Sequence, residues 1–356
     1  MIKYLGSKRL FVKTLGDIAT AVEASTALDL FTGTTRVAQE FKKRGILTTA
    51  VDVASYSDVL AGCYISTDAR DIDELELDEL IKELNALPGY SGYFTETFCI
   101  KSRFFQPKNG MRVDAIREYI KKHHRRIDPL FPILMTSLML AADKVDSTCG
   151  TQMAYLKKWA SRSYKDMVLK RPDLLPGKGY HCRKKAEDFV YYMPSADLMY
   201  LDPPYNQHRY FTNYHIWETL VRWDKPEHYG VACKRKDSRY EDTKSVFNKK
   251  KKMSSALRDL LVDAVDHTVG TAVVSYNNES WITSEQMVSM LRYVGFKDVR
   301  ILAFDNKRYV GAQIGIFNPS GEKVGEVSHL KNTEYMFIAG DTDRVEAAVN
   351  SVSILE

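Results

Sequence analysis

The sequence predicts an α/β protein built on a mostly parallel, doubly wound sheet, and two observations carry that prediction. Short apolar runs alternate with amphipathic stretches of helical period, which is the pattern of βαβ units with helices on both faces of a sheet. The polar and glycine-bearing segments of chemical interest then fall just after the apolar runs, where ligands of such sheets bind.

In order, Ala27–Phe31 reads as a strand leading into Thr32-Gly33-Thr34-Thr35, with a helix from Arg36 to Arg44. Leu47–Val53 is a second strand carrying Asp52 near its end, followed by a helix from about Tyr56. Further strands are expected at Asp197–Leu201, Thr271–Tyr276, Val299–Phe304 and Tyr335–Ala339, with a helix at Ser284–Val294. Between the second strand and residue 181 the pattern changes. Ile116–Arg126 is a basic helix and Phe131–Ala142 a strongly apolar one. The expected organisation is therefore a discontinuous core, 1–85 and 181–340, a helical insertion at 86–180, a basic loop at 230–255 and a tail at 341–356.

The chain has 356 residues, 44% of them hydrophobic, enough for a sizeable core. Its net charge of +5 is unevenly spread: Lys234 to Lys252 holds nine Lys or Arg against three acids, while acids gather in Asp68–Glu83. A basic segment suits a polyanion and equally a solvated loop. Five cysteines, at 63, 99, 149, 182 and 233, form no C-x-x-C pair, so neither a zinc site nor a disulfide framework is expected. With no signal-like or membrane-spanning apolar run, a reduced cytoplasm is expected, with no membrane and no metal.

Asp202-Pro203-Pro204-Tyr205 follows the apolar run Leu198–Leu201. An exocyclic aromatic amine is a poor nucleophile because its lone pair is delocalised into the ring. Acceptors that bind its N–H groups localise that pair, and the Asp202 carboxylate and Pro203 carbonyl are two such acceptors. The prolines fix φ and remove competing N–H donors, and Tyr205 offers a face for stacking. The bland alternative is a tight turn after a buried strand.

Asp29-Leu-Phe-Thr-Gly-Thr-Thr35 is a strand-to-helix turn in which Gly33 permits close backbone approach. The dinucleotide fingerprint G-x-G-x-x-G is absent, which disfavours an NAD-dependent dehydrogenase. Asp52, 19 residues on from Gly33, stands where a carboxylate accepts from ribose hydroxyls. Together the two segments favour an adenosine-containing ligand; taken singly, each is better explained by a capped turn or a loop carboxylate. Lys3-Tyr4-Leu5-Gly6-Ser7-Lys8 sets an aromatic and two cations around a glycine, and Glu187-Asp188-Phe189 offers a carboxylate and a ring shortly before the Asp202 strand.

The order KYLGSK, DLFTGT, Asp52, Asp188-Phe189, DPPY resembles the Dam-like DNA adenine-N6 methyltransferases that use S-adenosylmethionine, and is most similar to modification methylases of the FokI type. The likeness extends through Asp143-Lys-Val-Asp-Ser147, Asn206-Gln-His-Arg-Tyr210, Asn213-Tyr214-His215, Glu218, Ser275-Tyr-Asn-Asn278 and Tyr309-Val-Gly-Ala312. It implies a Rossmann-like methyltransferase fold with a helical insertion for target recognition. It also implies direct methyl transfer to N6 of an adenine flipped out of duplex DNA, without a metal, in a restriction-modification or mobile-element setting with a possible cognate endonuclease. A cytoplasmic, nucleoid-associated protein follows.

The resemblance gives Tyr4, Lys8, Asp29, Phe31, Gly33, Asp52, Asp188 and Phe189 to the cofactor. It gives Asp202, Pro203, Pro204 and Tyr205 to the target adenine. Candidate DNA contacts are Lys121, Lys122, Arg125, Arg126, Lys157, Lys158, Arg209, Lys234, Arg235, Lys236 and Arg239. One departure stands out: Thr35 occupies a position where the family usually has a second glycine. An RNA adenine methyltransferase and a catalytically silent nucleic-acid-binding subunit remain open alternatives. A glutamine-N5 methyltransferase would normally carry Asn in place of Asp202.

Overall fold

The computed structural model describes residues 2–205, 207, 209–267, 269–307, 316–317, 323–325 and 331–352. The segment Tyr309–Ala312 and the residues Asn206 and His208 lie outside them. The fold is α/β and Rossmann-like, with a mostly parallel central sheet. The chain forms two compact units, 1–4 with 32–185 and 208–245, and 5–31 with 186–207 and 246–356.

The second unit carries the larger part of the sheet. Strands β1 (Thr26–Asp29), β4 (Ala196–Leu201), β5 (Val269–Asn277), β7 (Lys331–Gly340) and β6 (Asp298–Lys307) lie in the order β1-β4-β5-β7-β6. β4 runs parallel to both β1 and β5, whereas β7 is antiparallel to β5 and β6. Leu198, Met199, Tyr200 and Leu201 are all buried, as expected of a central parallel strand covered on both faces. The Asp197 carboxylate accepts from the Ser25 and Thr26 backbone N–H groups and the Thr26 hydroxyl, at 2.9, 3.0 and 2.9 Å, and so fixes β1 against β4. Residues 342–351, expected within a tail, form a helix that packs against α1 (Val12–Ala21). Val345 and Ala348 are its buried face, one helical turn apart.

The first unit holds the parallel pair β2 (Leu47–Asp52) and β3 (Tyr180–Arg183), with α2 (Arg36–Lys43) and α3 (Ser55–Ala61). Its largest apolar element is the helix Leu130–Lys144, with eleven buried residues that include Ile133, Leu134 and Leu138. Beside it lies Pro107–His123, which begins with proline at its first turn and ends in Lys121, Lys122 and His123. Asp114 organises this region. It is buried, and its carboxylate accepts from the backbone N–H groups of Gly92, Phe94 and Thr95 at 3.0, 3.0 and 2.9 Å and from the Thr95 hydroxyl at 2.6 Å. Among the described residues no helix is long and apolar enough to cross a membrane.

Removing that carboxylate leaves four donors unmade, three of them buried. Asp114→Ala is expected to lower stability by about 3 kcal/mol. Urea denaturation of the variant and the parent checks it.

Candidate active site

In the second unit, the apolar strand β4 ends at Leu201 and delivers Asp202 to a half-buried position. Lys8, 7% exposed, reaches the same place from the N-terminal segment. Its Nζ lies 3.1 Å from Asp202 Oδ1 and 3.4 Å from Oε2 of Glu334 on β7. Burial pushes the Asp202 carboxyl up to about 6; Lys8 opposes the rise and Glu334 adds to it. Burial alone would lower the Lys8 ammonium, but the carboxylates of Asp202 and Glu334 outweigh it and hold Lys8 charged. Lys8 Nζ is also 5.9 Å from the centroid of Tyr205, whose ring meets Tyr276 edge-on at 5.4 Å. Below them the Tyr200 hydroxyl donates to Ser275 Oγ at 2.9 Å. Lys8, expected with the cofactor residues, is thus placed on the carboxylate of the D-P-P-Y segment.

Asp29 is buried at the end of β1, and Phe31 stands edge-on to Phe247 with centroids 5.2 Å apart. Asp188 and Phe189 are on a one-turn helix, Ala186–Phe189, where Asp188 is exposed and Phe189 half-buried.

In the first unit, the chain turns sharply between Thr32 and Thr35. The Thr32 N–H donates to Val51 O at 3.1 Å and the Thr35 N–H to Thr32 O at 2.7 Å. Gly33 has φ +52°, and a Cβ there would lie 3.0 Å from the Tyr4 ring, so conformation and space both demand glycine. Asp52 braces the turn: Oδ2 accepts from Gly33 N–H and Oδ1 from Ala54 N–H, each at 2.9 Å. Each oxygen keeps a lone pair for a further donor. Burial raises the Asp52 carboxyl against the pull of these N–H groups.

Around the turn stands an aromatic group. Tyr4 stacks on Tyr214 at 4.7 Å and on Tyr210 at 5.4 Å, and its hydroxyl is 3.4 Å from that of Tyr56. Glu218, buried, receives the N–H groups of Ser55 and Tyr56 at the start of α3, at 2.6 and 3.4 Å.

Thr35 has φ +62°, in the left-handed region, and is buried. That explains why glycine is usual there: a β-branched residue pays backbone strain that glycine does not. Its hydroxyl recovers part by accepting from Gln39 Nε2 at 2.8 Å.

Nine of the eleven expected DNA contacts are exposed, namely Lys121, Lys122, Arg125, Arg126, Lys157, Lys158, Arg209, Lys236 and Arg239. Lys234 is half-buried. Arg235 corrects the expectation: it is buried, with its guanidinium on the Asp224 carboxylate at 2.7 and 2.6 Å and on Asp237 at 3.0 and 2.7 Å, so its charge is spent inside. Arg239 lies over the Tyr229 ring at 3.8 Å. Glu334 and Tyr56 were not anticipated. Neither sits in a local motif, and only the pairing of distant strands and helices brings them in. Among the described residues no group of three or more His, Cys, Asp or Glu is arranged to hold a metal ion.

The first unit thus carries a glycine turn braced by a strand-end carboxylate, and the second a half-buried carboxylate beside an aromatic, each on an α/β frame. The profile of the D12 class N6 adenine-specific DNA methyltransferases matches residues 4–290, and the chain belongs to that family. It is 27% identical over 332 residues to the type II methyltransferase M.FokI of Planomicrobium okeanokoites, covering 86% of this chain and 50% of that protein. It is 29% identical over 280 residues to M.NlaIII of Neisseria lactamica, covering 76% and 80%. To M.CviAII of Paramecium bursaria Chlorella virus 1 it is 27% identical over 294 residues, covering 79% and 83%. The chain therefore spans half the length of M.FokI and most of the length of the other two.

The strain at Thr35 yields a prediction. Thr35→Gly is expected to raise stability by about 1 kcal/mol, the left-handed strain less the lost Gln39 contact. A shift of the urea midpoint to higher concentration checks it.

Proposed function

We propose that this chain transfers a methyl group from S-adenosylmethionine to the N6 amine of an adenine in double-stranded DNA. The observation that carries the reading is the Asp202 carboxylate, set at the end of a buried strand, kept half-buried and charge-paired to Lys8, with the Tyr205 ring beside it. An ionised carboxylate accepts from an amine, which localises the nitrogen lone pair; a stacked ring holds the base plane. Pro203 presents a carbonyl without a competing N–H. Asp in place of the Asn usual in glutamine-N5 enzymes suits a nucleobase amine.

S-adenosylmethionine, when bound, supplies an electrophilic methyl group. The residues present fit such a ligand. Gly33 lets the Tyr4 ring pack directly on the turn, Asp52 keeps acceptor capacity for ribose hydroxyls, and Asp29 and Phe31 offer a carboxylate and a ring to a cationic ligand. Asp188 and Phe189 are assigned to its adenine, and Tyr4 to the aromatic side of the turn.

Duplex DNA is the substrate in this reading, and the target base leaves the stack at a cost of a few kcal/mol. The insertion 86–180 chooses the sequence, and the exposed cations of that segment and of 230–255 meet phosphates. Work beside a cognate endonuclease, in a cytoplasmic, nucleoid-associated setting, completes the proposal.

The test is incubation with labelled S-adenosylmethionine and duplex DNA of varied sequence, followed by nucleoside analysis. N6-methyladenine in the DNA is the expected product, and label in RNA or protein alone would overturn the reading. Asp202→Ala is expected to reduce transfer by at least about 100-fold while equilibrium dialysis shows cofactor binding largely kept. Because Asp202 must be ionised and its carboxyl sits at about 6, the single-turnover rate is expected to hold above that pH and fall about tenfold per unit below it.

A further inference from the structure

We propose that Glu334 is a positioning residue for the transfer: it shares the Lys8 ammonium with Asp202 and keeps that ammonium from fully neutralising the carboxylate that receives the amine. The inference rests on the reading above. Glu334 stands on β7, opposite Asn277 of β5 and Phe304 of β6, beyond residue 290 where the family match ends.

The geometry is a three-centre charge cluster. Lys8 Nζ is 3.1 Å from Asp202 and 3.4 Å from Glu334, and the three side chains are 7, 19 and 12% exposed. A lone Lys8–Asp202 pair would sum to zero. With Glu334 the sum is one negative charge, so Asp202 remains a strong acceptor although a cation touches it. As the amine nitrogen acquires a methyl it becomes cationic, and a negative cluster stabilises that charge better than a neutral pair.

Among the described residues, Tyr200, Ser275, Tyr276 and Glu279 surround Asp202 and the Tyr205 ring. Tyr200 points its hydroxyl to Ser275, and Tyr205 lies between Lys8 and Tyr276, with Glu279 acting on Tyr205 from farther off. Lys8 is the cation of the cluster, and Glu334 is the carboxylate that adds to the elevation of Asp202. Removing its charge therefore lets Lys8 act on Asp202 alone.

Glu334→Gln keeps an acceptor oxygen for Lys8 and deletes only the charge, so it separates electrostatics from scaffolding. Single-turnover methylation of duplex DNA is measured from pH ~5 to ~9 in the parent, E334Q and E334D. The parent should stand at half its plateau near pH 6. In E334Q the acid limb is expected to move to lower pH, raising the rate at pH 6 up to about twofold relative to its own plateau. E334D, which keeps the charge, should retain the parental limb. Carboxyl 13C NMR of Asp202, assigned with D202N, should show the same downward move in E334Q. Coincident limbs and an unmoved Asp202 titration would overturn the proposal. If the parent methylates no DNA, the proposed function fails instead, and the NMR titration still decides the role of Glu334.

Discussion

The rest of the second unit depends on one electrostatic constraint: a carboxylate must be kept ionised near neutral pH at the end of a buried strand. Burial works against it, raising Asp202 to about 6. Lys8 makes the charge tolerable, but an ammonium that is itself 7% exposed has to be compensated in turn. The sheet supplies that compensation. β7 runs antiparallel beside β5, and the register that pairs Glu334 with Asn277 sets a second carboxylate within reach of Lys8. Strand order and charge balance are thus one problem with one solution.

The first unit answers a different constraint, that of space. Its turn comes close to the Tyr4 ring only because residue 33 carries no side chain and residue 35 accepts a left-handed backbone. Asp52 holds the turn through a backbone N–H on each oxygen, and stacked tyrosines fill the side where Tyr4 approaches Gly33. A carboxylate used as a brace stays in place while retaining lone pairs for a ligand. Rigidity here comes from hydrogen bonds and rings, where the other unit uses charge.

What the sequence revealed follows from how far each signal reaches along the chain. The strands at 47–52 and 196–201, the helix at 284–293 and the special turn at Gly33 are written in local periodicity and in glycine, and they appear where expected. Lys8 was in view among the cofactor residues but its pairing with Asp202 was not, because 194 positions separate the two and only folding joins them. Glu334 was invisible for the same reason, being a single acid within a β-strand. Arg235 misled because charge counting does not see Asp224 and Asp237 closing around a guanidinium. The helix at 342–351 was missed because its apolar face is short, with Val345 and Ala348 as its buried residues.

Arg235 also changes what the basic segment means. A run of cations reads as a polyelectrolyte surface only if each charge is solvent-facing, since counterion release counts phosphates met. Buried Arg235 instead ties Asp224 to Asp237 and lies 5.8 Å from the Phe211 ring, which makes it a clasp between the helix His215–Arg222 and the residues after it. Lys42 is a parallel case, its ammonium donating to the carbonyls of Tyr64, Ile65 and Thr67 at 3.1, 2.8 and 2.6 Å. A count of Lys and Arg therefore overstates the cationic surface by the cations that fold the protein. Those left exposed, in Lys121–Arg126 and at Lys157, Lys158, Lys236 and Arg239, make up the cationic surface, Lys236 with its charge shared with Glu227, and most of them belong to the helical segment that the sequence set apart by its composition.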